Sequence, residues 1–380
     1  MATEYRYFFL DLFTDKVNLE VPCYGVSFDD LLNDNGNATV SINLDREDYS
    51  NQEVIEGTIP GRTQFFIERN GSLVWGGIVW SRTYQAQAKS LSMTCQTFKT
   101  FFDRIGIVSS DMAEEAFVGA DQRNIFCELI IHAQQFRSDN FGATNINLLV
   151  DDRYPFTVDS SSVLRTVTFW SYDGWSYGKA LDSMAEYDDG LDWYIDVYYD
   201  DDGNFTKRIR VDNIIGQSQE STQLSFTYPG NVSNYYWPEN ASRAAVGVFA
   251  LGSGEGAERV IVLPTEAYNQ VLIDAQYPFL QQIYTNDQVS VYSTLLKQAR
   301  DEQRRLNLPI TVPTLEITPY EEPEFGTWSM GDYAEFFIED SRFPEGKRIY
   351  IRIIGYKMTP SSSEETEMCS LVLDGEGEDV

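Results

Sequence analysis

The sequence predicts an α+β chain, predominantly β, in which two antiparallel β-barrel domains carry α+β and helical elaborations. Three observations predict it. Short runs of alternating apolar and polar residues, separated by turn signals, recur at both ends of the chain. One of these runs, the stretch "SLVWGGIVWSRTY" at residues 72–84, is interrupted by Gly76-Gly77, where a strand of a small barrel can bend at a corner. Between the two β-rich ends lie segments whose apolar residues recur at three- and four-residue spacing.

The elements follow in chain order. "NATVSINL" and "VIEGTIPGRTQFFI" read as short strands, and "TQFFIERNGSLVWGG" reads as a hairpin. Its Asn70-Gly71 pair suits a two-residue type I′ turn, because both central positions need φ > 0. The return strand runs to Tyr84, and "QAQAKS" turns it into "LSMTCQTF", where Leu91, Met93 and Cys95 alternate with Ser92, Thr94 and Gln96. From Ser109 to Arg137 the pattern becomes helical, with Asp121 as a candidate N-cap and Ile125, Leu129, Ile130 and Ala133 on one face. A second helix, "SYGKALDSMAEYDDG", offers Ser176 as N-cap, Tyr177, Ala180, Leu181 and Met184 as its apolar face, and Gly190 as a C′ glycine. "LDWYIDVYYDDDGNFTKRIRVD" is then a hairpin with an acidic turn.

Strands return at "STQLSFTY", "AAVGVFALGSG" and "ERVIVL". An extended piece and a helix, "VSVYSTLLKQARDEQRRL", interrupt them, with Tyr292, Leu295, Leu296 and Ala299 on one stripe and Pro309 just beyond. "PITVPTLEIT", "GDYAEFFIED", "KRIYIRIIGY" and "EMCSLVLD" complete the set. The expected division is an N-terminal barrel over residues 1–107, an α+β domain over 108–215, a discontinuous second barrel over 216–262 and 309–380, and a helical insertion over 263–308.

Composition excludes several classes of function. The 380 residues include 28 Lys and Arg against 59 Asp and Glu, a formal charge of -31, with the acids spread along the chain. Binding to a phosphate backbone through counterion release needs clustered bases, so it is not expected. Aromatic residues at 14% are too many for a disordered acidic chain. "MATEYRYFFLDLFTD" has no basic n-region, and no run of about 18 apolar residues marks a membrane span. Cys23, Cys95, Cys127 and Cys369 lie far apart without C-x-x-C spacing, so buried free thiols are expected rather than zinc or disulfides.

His132 is the single histidine, and no G-x-S-x-G elbow accompanies it, so a partly buried structural role is expected. "GSGEGA" at Gly252 to Ala257 matches G-x-G-x-x-A, but a strand-like run follows where a helix must open, so it reads as a hairpin tip. Asp200, Asp202 and Asn204 match the first ligand positions of a calcium loop, yet Phe205 and Val211 stand where glycine and glutamate are needed. Asp188, Asp189 and Asp192 could pair as glycosidase carboxylates, a weak signal among 59 acids. Trp75 and Trp80 differ by an odd number and would face opposite sides of a regular strand unless the bulge at Gly76-Gly77 resets the phase, so core and interface anchoring is a simpler account than a sugar-stacking platform. No catalytic, metal-binding or cofactor-binding residue is therefore expected, and no cofactor.

The ordered set of segments resembles the tail hub, or baseplate hub, proteins of long-tailed bacteriophages, the minor tail proteins of non-contractile phages. The features that carry the resemblance are "NGSLVWGGIVWSRTYQAQAKSLSMTCQTF" ending at "FKTFFDRIG", then "YGKALDSMAEYDDGLDWYID", "NVSNYYWPENASRAAVGVFALGSGEG", and "GTWSMGDYAEFFIED" followed by "RIYIRIIGYKM". The resemblance implies two barrels related to the tail-tube domain, and a homotrimeric ring whose six barrels match the six-fold tube. It also implies binding to the distal tail and tape-measure proteins, support of a central fibre or spike, and a place at the virion tail tip after assembly in the host cytoplasm. The chain ends at "DGEGEDV", so no enzymatic or receptor-binding extension is expected. DNA would meet the protein only in transit, through an acidic channel. Two other readings stay open: a receptor- or carbohydrate-binding tail protein, and a tail-associated cell-wall hydrolase.

Overall fold

The computed structural model describes residues 3–46, 49–108, 114–135, 145–158, 160–187, 189–238, 244–306, 314–360, 367–374 and 378–379. It divides into two compact units. The first comprises Met1–Tyr235 with Leu315–Val380, and the second Tyr236–Thr314.

The first unit begins with strands β1 (Tyr5–Asp11), β2 (Val17–Glu20), β3 (Tyr24–Leu31) and β4 (Asn37–Asn43). Helix α1 (Asn51–Gly57) follows where the sequence suggested strand. Ser50 and Glu53 form a capping box there, and reciprocal capping of the first amides favours a helical turn over extension. Then come β5 (Thr63–Arg69), β6 (Ser72–Gln85), β7 (Ser90–Thr97) and the short α2 (Lys99–Phe102). Asn70 and Gly71 take φ of 51° and 86°, as a type I′ turn requires. Leu91, Met93 and Cys95 are buried on one face of β7.

Gly76 and Gly77 sit where β6 changes partners. Residues 72–78 pair with β5 and residues 77–85 with β7, with register shifts beside Ile67 and Val79. Close approach excludes any side chain here. A Cβ on Gly76 would lie 2.8 Å from the Phe66 ring, and one on Gly77 would run into the Gln96 carbonyl and the Trp75 ring. The two tryptophans serve different packings. Trp75 is buried beside Phe65, with ring centroids 6.1 Å apart, while Trp80 packs on the helical core described below.

The α+β part holds β8 (Glu114–Asp121), α3 (Gln122–Gln135), β9 (Leu148–Leu149), β10 (Leu164–Trp170), α4 (Tyr177–Ala185), β11 (Asp192–Tyr199) and β12 (Phe205–Asp212). Residues 114–121, expected to be helical, pair with β10 instead. Ser109 and Arg137, the expected limits of that helix, lie outside the described residues. Asp121 does cap α3, its Oδ1 accepting the Arg123 amide at 2.9 Å, and Ser176 caps α4 by accepting the Lys179 amide at 3.2 Å. The helix α4 ends at Ala185, and the left-handed residue beyond it is Asp189 rather than Gly190.

After β13 (Ser225–Tyr228) and β14 (Val232–Tyr236), the second unit contains β15 (Gly247–Leu251), β16 (Ile261–Val262), α5 (Gln270–Asp274), β17 (Gln281–Thr285) and α6 (Tyr292–Arg305). Strands β15 and β16, expected in the second barrel, instead form a separate three-stranded sheet in the order β16-β15-β17. Val248, Ala250, Val262, Leu295 and Ala299 make its core. Tyr292, expected on the buried stripe of α6, is exposed and bonds to Glu266. Pro309 lies outside the described residues.

The chain returns to the first unit as β18 (Thr314–Ile317), β19 (Tyr333–Ile338), β20 (Lys347–Thr359), β21 (Met368–Leu373) and β22 (Glu378–Asp379). The two β-rich ends, expected as separate barrels, are joined edge to edge. One 14-stranded sheet runs β14-β18-β21-β20-β3-β4-β7-β6-β5-β1-β2, with β13, β19 and β22 branching at β20. Thirteen-residue β20 makes the join. Its first half pairs with β19, and Gly355–Met358 pair with Leu31–Phe28 of β3.

Every residue of β5 is buried, because both faces of this sheet are covered. On one face the Phe9 and Phe65 rings pack at a tilt, with centroids 4.8 Å apart. On the other, Phe66, Ile78 and Phe98 join Phe126, Leu129, Leu181 and Trp193 of the α+β part in a shared core.

Two outcomes test this packing. Gly77→Ala should destabilise the first unit by about 3 kcal/mol, since neither backbone nor packed indole can yield cheaply, whereas Gly71→Ala in the open turn should cost about 1 kcal/mol; urea unfolding of both variants measures the difference.

Candidate functional site

Charged side chains placed between elements far apart in sequence are the first candidates for function. Asp192, at the start of β11, accepts Asn33 Nδ2 at 3.2 Å through Oδ1, while Oδ2 takes the Ile215 amide at 2.9 Å and the Arg352 guanidinium of β20. Its carboxylate is therefore engaged by three parts of the chain. That arrangement fits a structural tie. Asp188 lies outside the described residues, and the Asp189 carbonyl accepts from Gln122 and Arg165, both at 3.0 Å.

Arg69 and Glu367 form a second tie, with side chains only 5% and 3% exposed and Nε to Oε1 at 2.9 Å. The Tyr5 hydroxyl also donates to Glu367, and burial with this carboxylate raises the Tyr5 pKa far above its usual value. Lys207 is buried against Asp15 at 2.6 Å, and its pKa is lowered chiefly by desolvation. Lys99 reaches Asp182 of α4 at 3.0 Å and Asp103 at 3.2 Å.

His132 projects from α3 to Glu115 of β8, Nδ1 to Oε2 at 2.8 Å, while the Tyr177 hydroxyl donates to the other oxygen of Glu115 at 2.9 Å. The hydrogen bond that the imidazole donates to Glu115 is the main reason the His132 pKa is raised. This Tyr-Glu-His chain fastens α3 and α4 to β8, the structural role expected of the one histidine.

The remaining candidates resolve as turns. The Asp200 Oδ1 accepts the amides of Asp202 at 3.0 Å and Asn204 at 2.7 Å, which closes the acidic turn between β11 and β12. "GSGEGA" is the tip between β15 and β16, without a helix positioned for a pyrophosphate. All four cysteines are free thiols, and burial pushes Cys95, Cys127 and Cys369 up in pKa. Among the described residues no group of three or more His, Cys, Asp and Glu is arranged to hold a metal ion. No helix among them is long and apolar enough to cross a membrane.

One feature escaped the sequence reading. A cavity of about 200 Å³ is lined by Asp30, Tyr194, Asp196, Phe325, Trp328 and Tyr356. Burial, aided by neighbouring Asp29, pushes the Asp30 carboxyl up to about 7. Asp196, the other carboxylate there, is held by Arg210 at 3.6 Å and Arg208 at 3.8 Å. The cavity thus presents one easily protonated acid against aromatic walls, assembled from segments up to 326 positions apart; no local motif could announce it.

Two further outcomes test these assignments. Arg69→Leu or Glu367→Leu should each cost about 3–5 kcal/mol by leaving a buried charge unpaired, and the double variant should recover part of that loss, as a double-mutant unfolding cycle will read. A raised His132 pKa means that its contribution to stability is complete below the unfolded value of about 6.5 and declines as pH rises through the folded value; NMR titration should place the imidazole above 6.5, and Glu115→Gln should return it toward that value.

No protein-family model matches this sequence, and no curated protein matches it. Solved structures do. A tail protein from Neisseria meningitidis MC58 is similar at 11% identity with a TM-score of 0.58, over 100% of this chain and 97% of that one. The 43 kDa tail protein of prophage MuSo2 from Shewanella oneidensis is similar at 9% identity with a TM-score of 0.60, over 97% of this chain and 98% of that one. A chain of the half-lidded Francisella PdpA-VgrG complex is similar at 9% identity with a TM-score of 0.54, over 98% of this chain but 58% of that one. The chain has the α+β, predominantly β fold of phage tail proteins, matched along nearly its whole length.

Proposed function

We propose that the protein is a structural component of a bacteriophage tail tip, a hub in which three copies form a ring that continues the tail tube. The observation that carries this reading is the correspondence in fold with two tail proteins, one of them from a prophage, over 97% or more of both partners in each pair. The ring joins the distal tail and tape-measure proteins above to a central fibre or spike below, after assembly in the host cytoplasm.

The chemistry of the chain supports a role in shape rather than in bond-making. Its buried ionic groups tie strands and helices to one another, and its histidine is engaged by Glu115. The formal charge of -31 supports passage of DNA. Carboxylates lining a bore have the sign of phosphate and offer no counterion-release gain, so the polyanion slides without adhering. With a Debye length of about 8 Å at physiological salt, the wall influences DNA in a narrow bore.

Electron microscopy of the purified chain tests the reading. The expected particle contains three chains around a central hole whose wall is acidic. Isolated chains that cleave cell-wall glycan would refute it, and a neutral or basic wall would remove the DNA-transit part.

A further inference from the structure

The second unit differs from the rest of the chain in charge and in surface. Residues 236–314 carry eight acids against six bases, so 29 of the 31 net negative charges lie elsewhere. Copies of so acidic a chain repel one another, and a nearly neutral unit is where they can approach at least electrostatic cost.

That unit also exposes an unusual amount of apolar surface. Val271 is 68% exposed, Phe279 42%, Leu280 51% and Ile283 62%, with Tyr277 beside them in sequence. From Tyr268 to Thr285 the chain contains one charged residue, Asp274. Solvent-facing segments of soluble proteins rarely concentrate this much apolar area unless something covers it.

Strand β17 lies inside this segment and at the end of its sheet. It pairs in parallel with β15 on one side, and among the described residues no strand pairs with its other side. Edge strands are normally guarded by charge, proline or a bulge, because unpaired amides and carbonyls invite another chain. Gln281-Gln282-Ile283-Tyr284-Thr285 has none of these guards within it.

We propose that neighbouring copies of this chain meet head to tail through their second units, with Val271, Phe279, Leu280 and Ile283 around the open edge of β17 in one copy seated against a different face of the second unit of the next. The inference deepens the ring reading and rests on it for its setting. The occupant is a second copy because low charge on both sides is what an acidic protein needs in order to touch itself. A basic partner would be drawn to the acidic remainder of the chain.

The full-length chain tests it through two measurements. A Val271→Asp, Ile283→Asp double variant changes side chains that are 68% and 62% exposed, so its circular dichroism spectrum should match that of the wild type. Its self-association in sedimentation should weaken at least about a hundredfold, through charges buried in an apolar contact. Val118→Asp, at an 83% exposed position of β8, should leave association unchanged. If the wild type assembles and the double variant assembles equally well, this inference fails and the ring reading stands. A wild type that remains a single chain at all concentrations overturns both.

Discussion

The join between β3 and β20 is the constraint on which the first unit depends. Two β-rich segments from opposite ends of the chain share a backbone ladder at Phe28–Leu31 and Gly355–Met358. Such pairing is long-range and slow to find, since loop closure costs entropy before the ladder offsets it. Side chains then hold what the ladder brings together. Asp192 binds Arg352 from β20 and Asn33 from the turn after β3, and Arg69 with Glu367 fastens β5 to the start of β21. Buried pairs of this kind add little net stability, but losing one partner is costly, so they favour this register over its alternatives.

Covering both faces of the N-terminal sheet has a second effect. Phe65 and Phe66 are neighbours in sequence yet serve opposite faces, one packing with Phe9 and Trp75 and the other with Phe98 and Phe205. The glycine pair in β6 belongs to the same requirement, because the strand must change partners where both sides are already occupied.

Local signals in the sequence were legible wherever the physics is local. Asn70-Gly71 announced its turn, Asp121 and Ser176 announced their helices, and the alternation of Leu91, Met93 and Cys95 announced a one-sided strand. Helix α1 had a readable sign in Ser50 and Glu53, obscured by the β-branched Val54 and Ile55. Strand β8 reads as helix because its neighbour α3 lends it apparent periodicity, and only pairing with β10 decides it. The allegiance of β15 to a separate sheet was hidden for the same reason: periodicity shows that a strand exists and says nothing of its partner. Asp192 looked like one acid among many, since its meaning comes from Arg352, 160 positions away.

The thiols carry a consequence of their own. Cys95, Cys127 and Cys369 are enclosed in packed surroundings that hold them in the protonated form, and the Cys23 thiol is likewise raised in pKa. A thiol reacts as thiolate, so oxidants, glutathione and disulfide exchange find little to attack. The three enclosed thiols are thereby shielded from their redox surroundings.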